Sequence, residues 1–290
     1  MELLLQAIIN GVMLGMMYVV IALGLTLVYS ILGIVNFAHA EFYMMGGFLT
    51  WLLYVNMELN YFLVLPLAIV VVGLFAMVVE RIFFRPFRGK VLEAFIISLG
   101  LIWVFQEAAQ KIMGVWDKGA PSAFPGTITL FDIHFNVERL VVTIIGGVLL
   151  LAMYFFITKT KLGRAMRAIA QDRECAAFQG VNIDKICTIT FGVGCALAAS
   201  AGVLLGPVLF INPYMGAPVI LKAFIIIILG GLGSIPGCLV GGLFLGMVDA
   251  VGSLYANSQA VEIVTFVFIF FMLVVRPHGL LGGMEAHEEE

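Results

Sequence analysis

The chain has 290 residues, 62% hydrophobic and 11% charged, with a mean hydropathy of +1.13 and a formal net charge of −3. Soluble globular domains carry about 25% charged residues, so this composition excludes that class and defines a polytopic membrane protein. A span needs about 20 apolar residues, which leaves room for about eight or nine spans and almost no extramembrane domain.

The first span is expected over residues 3–32; it lacks the basic flank of a signal peptide and runs on too far to be one. A polar break follows at Val35-Asn36-Phe37-Ala38-His39-Ala40-Glu41. The second span, 42–55, is short for a crossing. The third, 61–84, ends among Glu80, Arg81, Arg85, Arg88 and Lys90, a cytoplasmic signature by the positive-inside rule. A fourth span is expected over 91–113, then an external loop over 114–138 in which alternation from Thr127 to Phe135 predicts a small hairpin. The fifth span, 139–157, leads into the longest polar interruption, 159–185.

That interruption holds Lys159, Lys161, Arg164, Arg167, Arg173 and Lys185 against Asp172, Glu174 and Asp184. Ala, Met, Arg and Gln predict one helix over 164–179, stopped at Gly180. The sixth span, 186–211, is rich in Gly, Ala and Ser, as a tightly packed interior helix is. The seventh, 219–229, breaks at Gly230-Gly231-Leu232-Gly233-Ser234-Ile235-Pro236-Gly237. The eighth and ninth are expected over 238–254 and 261–275.

Counting outward from the basic loops places 114–138 outside and the C-terminus inside. The N-terminus lies outside if 36–41 separates two full crossings, and inside if the second span is re-entrant. The breaks at 36–47 and 230–237 point to interrupted helices, which are tolerated at membrane depth only where protein or a cavity covers the backbone. Asn36, Phe37, His39, Glu41, Gly230, Gly231, Gly233, Ser234 and Pro236 are therefore the candidate translocation lining.

No enzyme constellation is visible. His39 and Glu41 do not share a helix face, no His/Cys spacing suits a metal, and neither a GxxxxGK[ST] loop nor a GxGxxG after a strand occurs. Cys175, Cys187, Cys195 and Cys238 form no CxxC pair and read as small buried packing residues. Glu93, Lys222 and Glu262 lie near span ends, where snorkelling accounts for them, and Asp249 reads as a packed polar residue. A proton-driven carrier would show facing carboxylates or a Lys–carboxylate pair deep in several spans, and no such pattern is visible. The acidic residues of 285–290 read as a solvated end.

The basic stretch fits a lipid-headgroup helix, a topogenic loop or a docking element. Ala165, Ala168, Ala170, Ala176 and Ala177 give it small faces without the Leu/Phe/Trp stripe of a surface-seeking helix, which favours docking.

From Gly163-Arg164-Ala165-Met166-Arg167-Ala168-Ile169-Ala170-Gln171-Asp172 through Ala176-Ala177-Phe178-Gln179-Gly180, this stretch resembles the ATPase-coupling loop of ABC importer permeases, specifically the LivH-type branched-chain amino-acid permeases. Residues 33–42, 210–216, 223–237 and Arg276-Pro277-His278-Gly279-Leu280-Leu281-Gly282 are similar to that family in order and spacing. Ala40 stands where the family commonly has Gly, and Phe178-Gln179 where it commonly has Leu-Leu.

The resemblance implies an all-α bundle forming a single transmembrane permease domain, 1–290, with broken helices and a cytoplasmic coupling helix, in a bacterial inner membrane. It implies a non-catalytic subunit with no cofactor of its own, beside a second related permease, two cytoplasmic ATP-binding subunits and a periplasmic solute-binding protein; no nucleic-acid partner is expected. Gly163, Arg164, Arg167, Ala168, Asp172, Glu174, Ala176, Ala177 and Gly180 would meet the ATPase, and the cargo would be Leu, Ile or Val. The rival readings are an ion-coupled secondary transporter or channel for a small zwitterionic or amide solute such as urea, and a membrane-embedded enzyme.

Overall fold

A computed structural model describes residues 2–130, 133–276, 279 and 280. Residues 131–132 of the predicted hairpin, 277–278 and 281–282 of the C-terminal motif, and the acidic residues of 285–290 lie outside it. The chain opens with α1 (Glu2–Leu32) and α2 (His39–Thr50), the latter continued by a π turn over Trp51–Asn56. Then come α3 (Tyr61–Val79), extended by a second π turn over Glu80–Phe84, and α4 (Val91–Met113). β1 (Thr127–Leu130) pairs antiparallel with β2 (Ile133–Asn136), Thr127 facing Asn136. α5 (Val137–Lys159), α6 (Lys161–Gln171), α7 (Arg173–Phe178) and α8 (Ile183–Leu205) follow, and α9 (Gly216–Gly230), α10 (Ile235–Gly252) and α11 (Ser258–Val275) complete the described helices.

Among the described residues, six stretches are long and apolar enough to cross a membrane: Leu3–Leu32, Tyr61–Phe87, Val91–Met113, Val137–Lys159, Ile183–Leu205 and Ile235–Gly252. The shorter α2, α9 and α11 supply the remaining expected segments.

α1 and α8 form the axis of the bundle. In each, 83% of the most apolar window is buried, against 33% or less in the other four long helices. The small residues of α8 are the cause. Gly194 abuts Gly24 of α1, and a Cβ on Gly202 would fall within the carbonyl of Tyr43 on α2. Only helices without side chains at these points approach so closely, and in a bilayer such packing supplies much of the attraction.

α1 runs antiparallel to α10: Thr26 meets Cys238 near the start of α10, and Gly11 meets Met247 near its end. The start of α10 lies beside Ile157 and Arg167, at the end of the bundle that gathers the basic residues. The start of α1 lies beside the hairpin, where Arg139 donates to Asn10 Oδ1 at 2.8 Å. On the positive-inside rule the basic end would be the cytoplasmic one, so that α1 would cross fully with its N-terminus outside.

Two expectations are corrected. The break near residue 36 spans only 33–38: His39, Ala40 and Glu41 already form the first turn of α2, which continues unbroken through Gly46 and Gly47. The basic stretch is two helices. Asp172 is extended (φ −154°, ψ 113°) and caps α7, its Oδ1 accepting from the Cys175 N–H at 2.9 Å. Gly180, at φ +82°, does end the stretch.

Replacing Gly202 with Val should destabilise the bundle by about 1–3 kcal/mol, because Tyr43 is backbone there and cannot give way. Gly100→Ala on α4, where an added Cβ meets nothing within 4 Å, should be silent. Thermal unfolding in detergent, followed by loss of the monodisperse size-exclusion peak, compares the two.

Candidate functional site

The first break is the unwound half of a crossing, so the second span is not re-entrant. Leu32 ends α1 and residues 33–38 turn back without helical structure, Gly33 at φ +68°. α2 then starts beside the middle of α8, His39 Nδ1 lying 3.9 Å from Cys195 Sγ, and ends beside Gly206, which a Cβ would bring against Thr50. α2 thus begins at mid-depth and runs to the outer end.

Asn36, His39 and Glu41 are buried at this point. Glu41 Oε1 accepts from Gln106 Nε2 on α4 at 3.0 Å, and the Phe37 N–H donates to Ser98 Oγ at 3.2 Å. The Phe37 ring packs on Phe224 of α9 (4.5 Å between centroids) and edge-on to Phe95 (5.4 Å). Asn36 Oδ1 and Nδ2, His39 Nε2 and Glu41 Oε2 lack a hydrogen bond of normal geometry among the described residues. A buried polar atom left so costs about 1–3 kcal/mol, which makes this a place where a polar guest is welcome.

The second break, 230–237, lies at the cytoplasmic end. Gly230 and Gly237 press backbone on backbone where α9 meets α10, and Gly231 and Gly233 take φ +99° and +85°. Ser234 caps α10, its Oγ accepting from the Gly237 N–H at 3.1 Å, and Pro236 sits in the first turn. Gly233 lies against Ser30 of α1. Leu280 straps the turn from outside, its N–H donating to the Leu229 carbonyl at 2.8 Å. The two breaks therefore sit at different depths, linked by Ser30 and by the Phe37–Phe224 contact.

In the basic stretch the structure sorts the candidates by direction. Gly163, Met166 and Ile169 are buried, and Gly163 packs on the carbonyls of Phe156 and Ile157. Met166 and Ile169 are the apolar stripe that a reading of small alanine faces overlooked. Arg167 donates to the Ile157 carbonyl, and Ala176 is buried on α7. Arg164, Asp172, Glu174, Ala177 and Gly180 face outward with Phe178, which is 89% exposed. Ala168 is half-buried. Cys175 is exposed too, unlike the expected packing role; the other three cysteines are buried.

Two charged networks escaped the sequence reading. Below α3, buried Glu80 bonds Arg88 and accepts from the Thr188 hydroxyl at 2.6 Å, while Arg85 and Arg88 both reach Asp184 at the start of α8. On the outer side, Lys222 of α9 and Asp249 of α10 form an ion pair at 2.5 Å, the Lys–carboxylate pattern the spans seemed to lack. Its only sequence signal was two opposite charges in separate apolar segments.

Among the described residues, no group of three or more His, Cys, Asp or Glu side chains could hold a metal ion. Broken helices around a dense axis, with a two-helix basic face at one end, are those of a multi-pass membrane protein. The chain matches the family model "Branched-chain amino acid transport system / permease component" over residues 7–275 and belongs to that family. It is 37% identical to the high-affinity branched-chain amino acid transport system permease protein LivH of Escherichia coli K12, over 98% of this chain and 97% of the relative. It is 34% identical, with the same coverage, to BraD of Pseudomonas aeruginosa, which bears the same description. A probable branched-chain amino acid transport permease of Methanocaldococcus jannaschii is 27% identical over 91% of this chain and 88% of its own. No solved structure matches.

The hydrogen bond and negative charge of Asp172 hold the exposed Cys175 thiol above its usual pKa. Less thiolate is then present at neutral pH, so alkylation is slow. Asp172→Asn should raise the maleimide labelling rate at pH 7 on the order of a few-fold. Labelling should occur in inverted vesicles and fail in right-side-out ones, which also checks the orientation.

Proposed function

We propose that the chain is the membrane-spanning permease subunit of a binding-protein-dependent ABC importer that carries Leu, Ile and Val across a bacterial inner membrane. Family membership across nearly the whole chain, with the relatives' own descriptions, is the observation that carries this reading. The chain would work beside a second related permease, two cytoplasmic ATP-binding subunits and a periplasmic solute-binding protein. It would bind no nucleotide itself.

The geometry supports a division of labour. Cargo would pass by the mid-depth break, where Asn36, His39 and Glu41 offer buried polar atoms beside Phe37. The break at 230–237, with Gly230, Gly231, Gly233, Ser234 and Pro236, would gate the cytoplasmic end. The ATPase would press on the outward set of Arg164, Asp172, Glu174, Ala177 and Gly180. Gly163, Arg167, Ala168 and Ala176 would seat the helices on the bundle. Coupling can be no stronger than the difference in contact that these helices make with the two ATPase states.

Reconstitution of the chain in proteoliposomes with its companion permease, the ATPases and the binding protein tests the reading: leucine uptake should require ATP and every component. Uptake that persists without the ATPases would identify an autonomous carrier instead. Arg164→Glu and Glu174→Arg should lower uptake per ATP hydrolysed by about ten-fold, within the usual range of coupling energies, with membrane insertion unchanged. Asn36→Ala or His39→Ala should alter uptake rate or cargo preference while the ATPases still co-purify.

A further inference from the structure

A cavity of about 400 Å³, in the size range of small-ligand sites, lies at the outer end of the bundle between α1, the start of α5, α9, α10 and α11. Arg139, Lys222, Asp249 and Glu262 line it, two positive and two negative charges. The Tyr18 hydroxyl donates to Asp249 Oδ2 at 2.9 Å and accepts from Lys222 Nζ at 2.9 Å, so all three helices bearing these groups meet in one hydrogen-bonded knot. Asn10 holds Arg139 at the rim. Leu14, Ala250, Leu254 and Val261 complete an apolar wall.

Packing does not require this pair, although it ties three helices together. Ionised groups in a bilayer span are expensive, and an apolar pair of similar volume commonly holds two helices as well or better. A ligand carrying both signs does give a reason for the pair. We propose that this cavity is a binding site for a zwitterionic amino acid, its carboxylate on Lys222 and Arg139, its ammonium on Asp249 and Glu262, and its side chain on the apolar wall. The inference rests on the importer reading and extends it by placing a cargo site outside both helix breaks. A zwitterion exchanges one internal ion pair for two pairs across the interface, and Tyr18, which can donate and accept, serves either arrangement. A ligand with one charge leaves a partner unmatched, at the cost of a buried unpaired ion.

The test uses Lys222→Met/Asp249→Leu, which replaces the pair by apolar packing, together with Arg139→Gln and Glu262→Gln, which leave it intact. In the reconstituted importer the double variant should insert normally and keep ATP hydrolysis stimulated by loaded binding protein, while leucine uptake falls at least about ten-fold. Each of the other two should raise the half-saturating leucine concentration. Saturation-transfer NMR on the full chain in nanodiscs should show contact with leucine, but not with leucinamide or N-acetylleucine, and none in the double variant. Import by the double variant at the wild-type rate would overturn the proposal, as would equal transfer from all three compounds or from none. The NMR needs neither ATPase nor binding protein, so a wild-type chain that contacts leucine but imports none would instead sink the importer reading and leave the site standing.

Discussion

Residues 33–38 carry peptide groups to the middle of the bundle with no helix to satisfy them, and hydrocarbon offers no partners there. The chain meets the need locally: Gly33 reaches back to Tyr29, His39 to Asn36, Glu41 to Ala38, and Phe37 to the Ser98 hydroxyl. Those bonds endure only if lipid stays away. α8 provides the shield, and it comes close enough because Gly24, Gly194 and Gly202 have no side chains at its contacts with α1 and α2. Dense axial packing and an unwound polar centre are thus one feature. Filling a single axial glycine would expose the peptide groups that the break leaves bare.

Long helices were legible because apolar length by itself sets their bounds; α4 runs over the expected 91–113, and the hairpin follows its alternating residues. Short polar stretches were less so. His39 and Glu41 read as loop on hydropathy, yet an acidic residue is favourable in a first helical turn. Asp172 hid within an alanine-rich run that favours helix throughout, although its side chain is a good N-cap and breaks the run in two. The candidate lining was legible only as two breaks in sequence; their different depths come from how α2 and α9 sit against α8 and α1. Lys222 and Asp249 stand 27 residues apart, and nothing short of the tertiary packing pairs them.

The two charged networks sit at opposite ends of the same axis. Glu80, Arg85, Arg88, Asp184 and Thr188 tie α3 to the first turns of α8 at the cytoplasmic end. Tyr18, Lys222 and Asp249 tie α1, α9 and α10 on the outer side. Between them the described helices meet mostly through close packing with single hydrogen bonds such as Gln106 to Glu41, whereas ion pairs with fixed partners do not slide without breaking. Any relative motion of these helices in transport would be restricted at these two places and freer between them.

The extended residue at Asp172 sets how a push on the cytoplasmic face is delivered. α6 is seated on the last turn of α5, through Gly163 against two carbonyls and Arg167 on one of them, whereas α7 buries only Ala176. Under the proposed docking, α6 would carry a displacement into α5, while α7, tied to α8 mainly by Arg173 on Cys187, would be the more loosely held of the two. α5 in turn lies along α1 at Gly146, against Met16 and Met17. Load applied at the surface would then reach the unwound stretch through α1, the helix that leads into it.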